Sequence, residues 1–387
     1  MKMTIKNMAK ELYFKFVCLL IPNISPLKKS KKTLLIVKLD AIGDYILFRN
    51  FLKEIRTSLL YKDYKITLLG NIINKELSET LDKKFIDDFV WINKKKLLKN
   101  PLSLLKIRRI IGARFEKTIH ASYSREFIGD LLVNFSGAEE RIGFKGDCNN
   151  ISMGVKKITD TWYTKLIGID QDINFEFYRN RCFFNKVLNN ISPLKKPDID
   201  LKSLNIIPMV GLPSTYVVFF PGGSLNSKRW PVENFKLIGK YLINKYNLNV
   251  IICGSNGDQN LAKVICSNDT KINDLTGKTT LPQLIHVISK AKFVISNDTG
   301  GAHIAAALNI PVIVMSRYNH YMRFVPYPEE ISNNFICLLP NMFNDLSQND
   351  LVKKFKNNSN EDISLITVNS VESVVDKVYS QTNIDLQ

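Results

Sequence analysis

SNDTGGAHIAAALNIPVIVM, residues 296–315, joins a strand end, a helix and a second strand in one short piece of chain. Asn297 and Asp298 close the apolar run FVIS, and a helical pattern starts after Thr299. Three alanines at residues 305–307 allow that helix to pack closely on a sheet. The run PVIVM then returns to a strand pattern. Together these features predict a βαβ unit of a parallel sheet covered by helices.

The start of this helix is a candidate binding site for a diphosphate. A helix N-terminus carries unsatisfied backbone N–H groups and the positive end of the helix dipole, both of which favour an anion. Gly300 and Gly301 have no side chains, so a ligand can approach these N–H groups beside Thr299. The alternative is an ordinary helix start, with Asp298 as the N-cap and His303 as a buried structural histidine.

A second candidate segment, PGGSLNSKRWPVENF at residues 221–235, follows the apolar run YVVFF. Ligands of parallel α/β sheets bind beyond the carboxyl ends of the strands, so we expect this segment to face the same crevice as the helix start. Ser224, Lys228 and the backbone of the two glycines would contact the ligand, and Lys228 would neutralise a leaving diphosphate. The alternative is that Lys228 and Arg229 are solvated loop cations before a helix that starts near Pro231.

Strand and helix patterns alternate on both sides of these segments, which predicts two doubly wound α/β domains. The first series starts with TLLIVKL at residues 33–39, and the second starts at Tyr216. The stretch between them has prolines among polar residues, which is typical of a connection. The predicted parts are a basic amphipathic extension at 1–32, a Rossmann-like domain at 33–188, a linker at 189–213, a second Rossmann-like domain at 214–365, and a C-terminal helix at 366–387 that is able to pack back across the domains.

The chain is strongly basic, with 54 Lys and Arg against 36 Asp and Glu in 387 residues and a net charge of +18. Such a surplus favours nucleic acid, anionic lipid or phosphorylated sugars as partners, although lysine-rich codon usage produces it as well. Residues 1–32 mix eight lysines with aromatic and aliphatic side chains. This mixture suits peripheral contact with an anionic membrane, or equally a short packed helix with a solvated lysine tail. Six scattered cysteines and no convincing signal or spanning sequence indicate a reduced, cytoplasmic protein.

Together the two candidate segments resemble glycosyltransferase family 9, the lipopolysaccharide heptosyltransferases and their relatives. The family's phosphate loop ends in Lys-x-Trp-Pro, which Lys228, Trp230 and Pro231 match. DLTGKTTL at residues 274–281 matches a Leu-x-Gly-Lys-Thr-x-Leu segment, and residues 297–308 match Asn-Asp-Ser/Thr-Gly-x-x-His-x-Ala-Ala-Ala-Leu. Three motifs in this order within about 90 residues are far more specific than any one of them.

The resemblance covers residues 33–330 and implies the α/β GT-B fold, two Rossmann-like doubly wound domains facing across a cleft. It implies inverting, metal-independent transfer of a sugar, heptose from ADP-heptose before others, onto a lipopolysaccharide core or a related lipid-linked cell-surface glycan. No cofactor beyond the nucleotide-sugar donor is implied. Thr279 and Asp258 are weaker candidates for contacts with the nucleoside. His303 is a candidate for contacts with the donor's phosphates or sugar.

KLDAIGD at residues 38–44 resembles the family's first-strand motif, which ends in Gly-Asp before a helix. The resemblance implies that Asp44 is the catalytic base, because an inverting transfer needs a carboxylate to accept the proton of the acceptor hydroxyl. Asp40 is the second candidate. The structural alternative for Asp44 is the N-cap of the following helix.

Two other patterns are misleading. GKTT at residues 277–280 lacks the earlier glycine of a P-loop, since position 272 is isoleucine, and no GxGxxG follows either first strand. Asp198 and Asp200 lie in the proline-rich connection, where we expect a solvated turn and not a metal site.

Two departures from the family leave the substrates open. Residues 316–328, SRYNHYMRFVPYP, stand where a typical member has a glycine-containing loop, which leaves the sugar open. The extension at 1–32 is longer than the family's usual start, which leaves the acceptor open. The alternatives from other classes are a non-catalytic nucleotide-sugar-binding protein, against which Asp44 argues, and a nucleic-acid-binding protein, for which no recognised motif is present.

Overall fold

A computed structural model describes residues 31–99, 101–112, 114–203, 208–267, 269–343, 345–356 and 359–384. The predicted amphipathic helix in the N-terminal extension therefore lies outside the described residues. The chain divides into two compact units. One comprises Met1–Ile173 and Tyr178–Pro193, and the other comprises Asn174–Phe177 and Leu194–Gln387.

The first unit is built on a parallel sheet with the strand order β3-β2-β1-β4-β5-β6. The strands are β1 (Thr33–Lys38), β2 (Lys65–Asn71), β3 (Asp88–Ile92), β4 (Lys117–His120), β5 (Glu140–Phe144) and β6 (Lys165–Ile167). The helices are α1 (Ile42–Ile46), α2 (Asn50–Thr57), α3 (Lys75–Leu81), α4 (Lys94–Lys99), α5 (Pro101–Ile111), α6 (Phe127–Ser136), α7 (Met153–Asp160) and α8 (Glu176–Leu188).

The apolar pattern of β1 explains the central position of this strand. Leu34, Leu35, Ile36 and Val37 are all fully buried, as expected for a strand with helices on both faces of its sheet. In register, β1 pairs with β2 on one side and with β4 on the other. The motif KLDAIGD, which starts at the last residue of β1 and ends in α1, therefore lies at the middle of the sheet edge.

The second unit repeats the architecture with the strand order β12-β11-β10-β7-β8-β9. Its strands are β7 (Tyr216–Phe220), β8 (Asn249–Ile252), β9 (Ile272–Asp274), β10 (Val294–Asn297), β11 (Val312–Met315) and β12 (Phe335–Leu338). Its helices are α9 (Val232–Tyr246), α10 (Gln259–Cys266), α11 (Leu281–Ser289), α12 (Gly300–Ala307), α13 (Gln348–Phe355) and α14 (Val368–Ile384). The prediction of two doubly wound α/β units with parallel sheets is confirmed.

The strand order of the second unit reverses direction at one place. From β7 the chain proceeds outward through β8 and β9, and then it returns to the other side of β7 with β10, β11 and β12. Residues 294–296 of β10 pair in parallel with residues 218–220 of β7. Such a switch point leaves a crevice beyond the carboxyl ends of the two strands, which is where ligands bind in open α/β sheets.

The C-terminal helix α14 packs on the second unit. Val371, Val375 and Val378 are buried in the same apolar core as Trp230 of the 221–235 segment. Asp376 accepts hydrogen bonds from the hydroxyl groups of two tyrosines of α9, at 2.7 and 2.6 Å. The end of the chain thus supports the core that underlies the candidate phosphate loop. No helix within the described ranges has the length and apolar character to cross a membrane.

Candidate functional site

One buried side chain shapes the segment that follows β7. Asn297, the last residue of β10, donates from Nδ2 to the carbonyl oxygens of Pro221 at 2.8 Å and Gly222 at 3.0 Å. Its Oδ1 accepts from the backbone N–H of Trp230 at 3.0 Å. Both ends of the loop at residues 221–230 are therefore tied to the end of the neighbouring strand.

Asn297→Ala is expected to lower the free energy of unfolding by about 3 kcal/mol, because two carbonyl groups and one N–H group lose their buried partner. Urea unfolding measures this as a lower midpoint with an unchanged slope. The matched control is Asn226→Ala, which removes an exposed amide from the same loop. Equal midpoints for the two variants would show that Asn297 does not hold the loop.

The two cations of the loop have different surroundings. Arg229 folds back and donates from Nε and from one terminal nitrogen to the carbonyl oxygen of Gly223, at 3.1 and 2.9 Å. Lys228 instead lies 3.9 Å from the carboxylate of Asp298, which follows β10. Ser224 is exposed in the same loop. Lys228 thus brings the two predicted segments together, while Arg229 stabilises the shape of the loop.

The helix start after β10 lies where the sequence predicts it, but its N-cap is not the one that the structural alternative named. The N-cap of α12 is Thr299, not Asp298, and its side chain makes no capping hydrogen bond. Its hydroxyl lies 3.0 Å from that of Ser296 instead. The first N–H groups of α12 have no partner within the helix and face the end where an anion is favoured.

Gly301 is required for packing. A Cβ atom on this residue would lie 2.6–2.7 Å from the ring of Phe220, the last residue of β7. The absence of a side chain therefore lets α12 lie close against the sheet, which is a different reason from the ligand access that the sequence suggested. The consequence for the site is that the start of α12 is held directly beside the loop that follows β7.

His303 is a buried histidine with a defined partner. It is 4% exposed, and its Nδ1 lies 2.8 Å from the hydroxyl of Tyr327. Burial lowers the pKa of His303, with the nearby Asp298 opposing this effect, so the imidazole is neutral near pH 7. His303 thus connects α12 to the segment at residues 316–328.

The two weaker candidates lie in neighbouring loops. The carboxylate of Asp258 accepts from the backbone N–H and the hydroxyl of Ser255, at 2.9 and 2.7 Å. A Cβ atom on Gly222 would lie 2.5 Å from this carboxylate, so Asp258 packs directly against the phosphate-loop candidate. Thr279 is half-buried in the turn between β9 and α11. Both loops leave the same edge of the sheet as the loop after β7.

In the first unit, Asp40 is held in an ion pair. The buried Lys38 lies 2.8 Å from its carboxylate and donates at 2.7 Å to the carbonyl oxygen of Ala121. Ser122 donates to the same carboxylate at 2.6 Å. Burial alone would raise the pKa of Asp40, but Lys38 and these hydrogen bonds outweigh it and lower the pKa to about 2. Asp40 is therefore a weak proton acceptor.

This pairing predicts an acid-labile contribution to stability. The pKa of Asp40 in the folded protein, about 2, lies below its ordinary value of 3.8, so folding favours the ionised form. The contribution of about 2 kcal/mol is complete above pH 4 and is lost as the pH falls through 2. Urea midpoints of wild type and Asp40→Asn should differ at pH 6 and converge near pH 2. A constant difference across this range would contradict the assignment, and the exposed Asp63→Asn serves as the control.

Asp44 lies elsewhere in the same motif. It is half-buried in the first turn of α1, whose N-cap is Ala41. Asp44 is therefore not the N-cap of the helix, which was its structural alternative. A carboxylate in the first turn is favoured by the helix dipole.

Comparison with known proteins finds a similarity to one family over part of the chain. A model described as glycosyltransferase family 9 (heptosyltransferase) matches residues 179–352. This part of the chain is similar to glycosyltransferase family 9. A lipopolysaccharide core heptosyltransferase of Haemophilus influenzae is 34% identical over 110 residues, which is 28% of this chain and 31% of that protein. The aligned stretch thus spans about a third of the curated relative.

Solved structures extend the similarity to the whole fold. A family 9 glycosyltransferase from Veillonella parvula has a TM-score of 0.69 at 17% identity, over 92% of this chain and all of that one. An Escherichia coli heptosyltransferase solved with ADP has a TM-score of 0.65 at 17% identity, over 91% and 99% of the two chains. The chain has the predicted GT-B fold.

The segment at residues 316–328, where the sequence departs from the expected loop, is anchored at several points. Arg317 donates to the carbonyl oxygen of Ser227 at 3.2 Å, next to Lys228. Tyr318 packs its ring on that of Phe355 in α13, with centroids 4.7 Å apart. The segment therefore reaches the phosphate-loop candidate by direct contact.

Sequence reasoning missed the roles of three residues in this candidate site. Asn297 stood inside the quoted motif, but only the structure reveals its bonds to the loop after β7. Arg229 was considered only in the alternative of a solvated loop cation, yet it is bonded to Gly223. Arg317 belongs to a segment that matches no motif. A sequence signal existed only for Asn297, since it directly precedes Asp298.

Proposed function

We propose that this chain is an inverting glycosyltransferase that moves a sugar from a nucleoside diphosphate to a lipopolysaccharide core or related cell-surface glycan. Heptose from ADP-heptose is the first candidate donor, because the relatives are named heptosyltransferases and one similar structure was solved with ADP. One observation supports the proposal most. Lys228 lies beside Asp298, just before the start of α12, at the switch point of the second unit.

The proposed role of Lys228 and the start of α12 is to hold the diphosphate as it leaves the sugar. Negative charge grows on the diphosphate oxygen as its bond to the anomeric carbon breaks. The Lys228 ammonium group and the N–H groups of Gly300 and Gly301 would stabilise that charge, and the exposed Ser224 would add a hydroxyl donor. These donors are fixed in advance, since Asn297 holds the loop and Gly301 holds the helix against β7.

Asp44 is the proposed catalytic base. The acceptor oxygen forms its new bond to the anomeric carbon, the bond from that carbon to the diphosphate breaks, and the hydroxyl proton passes to the Asp44 carboxylate. One displacement of this kind inverts the anomeric configuration. Asp40 is a poor alternative, because a carboxylate whose pKa is about 2 and which is paired with Lys38 has little affinity for a proton.

A panel of nucleotides tests the proposal. We expect ADP and ADP-heptose to raise the melting temperature, because a ligand at 100 times its Kd stabilises the native state by about 2.7 kcal/mol. For a unit of this size that corresponds to roughly 5 °C or more. UDP and GDP serve as controls for the base. A panel in which no nucleoside diphosphate stabilises the protein would overturn the proposed function.

The proposed absence of a metal requirement has its own test. If Lys228 and the start of α12 supply the positive charge, the transfer rate in excess EDTA should match the rate without it. Adding back magnesium should change nothing. A rate that falls at least tenfold in EDTA and recovers with a divalent cation would contradict this part of the mechanism.

A further inference from the structure

Helix α5 of the first unit exposes a face that combines apolar and basic side chains. Two large apolar side chains of this helix are exposed, Leu105 at 52% and Ile110 at 36%. With Lys106, Arg109 and Arg114 they line a shallow depression of about 580 Å³. At helical spacing Lys106 and Arg109 lie in the middle of the exposed arc, and the two apolar side chains lie at its margins.

The orientation of this face is fixed by the opposite side of the helix. Ile107 and Ile111 are buried in the core of the first unit. Arg108 lies over the ring of Phe135 in α6, with its guanidinium carbon 5.7 Å from the ring centroid. The helix therefore cannot turn its exposed apolar residues inward without losing this packing.

The sequence around this face carries many basic residues and no acidic ones. Residues 89–115 contain no Asp or Glu and eight basic residues, which are Lys94, Lys95, Lys96, Lys99, Lys106, Arg108, Arg109 and Arg114. Lys94 pairs with Glu126 at 3.0 Å. Within the part of the chain that the structure describes, Lys106, Arg109 and Arg114 form no ion pair. Their charge is available to an external partner.

These features together select one class of partner. Nucleic acid would engage the cations but would gain little from Leu105 and Ile110, because its affinity comes from phosphate contacts. A second copy of the chain would bring like charges together, and so would residues 1–32, which carry eight lysines and one glutamate. A bilayer with anionic headgroups accepts both kinds of side chain, since the cations bind headgroups and the apolar side chains enter the interface.

We propose that the exposed face of α5, formed by Leu105, Lys106, Arg109, Ile110 and Arg114, binds an anionic lipid bilayer. The proposal depends on this face and not on the proposed sugar transfer. Binding through this face would hold the first unit at the membrane surface, where a lipid-linked acceptor is available.

Vesicle sedimentation with the full chain tests the charge of this face. The vesicles are phosphatidylcholine alone or a two-to-one mixture with phosphatidylglycerol. The triple variant Lys106→Gln, Arg109→Gln, Arg114→Gln should bind the anionic vesicles roughly 100-fold more weakly, because each basic residue near the surface contributes about a fivefold factor. The matched control, Lys240→Gln, Lys263→Gln, Lys353→Gln, removes the same charge from exposed positions of the second unit. Equal binding of the two triple variants would overturn the proposal.

Hydrogen exchange on the wild-type chain gives a readout that needs no substitution. Adding anionic vesicles should slow amide exchange at residues 103–111, and phosphatidylcholine alone should not. Protection confined to residues 1–30 would assign the membrane contact to the extension and refute the role of α5. Protection of α5 that rises with protein concentration in the absence of vesicles would identify a second copy as the partner and would also refute it.

Discussion

Replacing Asp44 by asparagine is expected to lower kcat by about a thousandfold, because the acceptor hydroxyl then has no carboxylate to take its proton. The affinity for the donor should stay within a factor of about two, since the amide keeps the shape of the side chain. The measurement is the initial rate of nucleoside diphosphate release in the presence of acceptor, together with calorimetry of donor binding. A loss of rate without loss of binding identifies a residue that acts in the transition state.

Asp40→Asn is the matched control for this experiment, because both carboxylates belong to the same seven-residue motif. It leaves the buried Lys38 without its charge partner, so we expect a loss of stability and a retained kcat at a temperature where the variant is folded. Asp44→Asn should show the opposite pattern. Transfer by Asp44→Asn at the wild-type rate, with normal donor binding, would remove Asp44 from the chemistry.

Replacing Lys228 by alanine is expected to weaken the binding of ADP by 10- to 100-fold, because a hydrogen bond to a charged group contributes about 1.5–3 kcal/mol. Calorimetric titration of wild type and variant measures the difference directly. The contribution should decrease as ionic strength rises, since Lys228 is partly exposed beside Asp298.

Two further lysine variants make this test specific. Lys278→Ala removes an exposed lysine that pairs with Asp274 in a neighbouring loop, and it should leave ADP binding unchanged. Lys228→Arg keeps the charge and should restore most of the affinity. Should Lys228→Ala bind ADP as tightly as Lys278→Ala does, the diphosphate is held by other groups.

The sequence predicts the central strands β1 and β7 and misses two short strands at the margins, β6 and β9. β1 and β7 are uninterrupted apolar runs, and both are buried along nearly their whole length. β6 and β9 are edge strands of three residues, KLI and IND, in which charge and amide side chains face solvent. An edge strand pairs with only one neighbouring strand, and three residues span only one alternation of apolar and polar side chains. Such a strand therefore leaves no periodic signal in the sequence.

The positions of the candidate site could be predicted, but not the contacts that give each residue its role. Gly301 was interpreted as giving a ligand access to the helix start, yet its requirement for packing comes from the ring of Phe220, which lies 81 positions earlier. The burial of charged side chains was not predicted from the sequence. Lys38 and Arg125 are almost fully buried and bonded to carboxylates, whereas a lysine or arginine in a sequence is by default assigned to the surface.

The most direct test is one reaction of the full chain with ADP-heptose and a deacylated lipopolysaccharide core acceptor, followed by mass spectrometry. We predict that the acceptor gains the mass of one heptosyl residue for each ADP released. The contrary result is that ADP-heptose binds but donor and acceptor are recovered unchanged, and that every other nucleotide sugar that binds is also left unchanged. That outcome would make the chain a nucleotide-sugar-binding protein and contradict its assignment as a transferase.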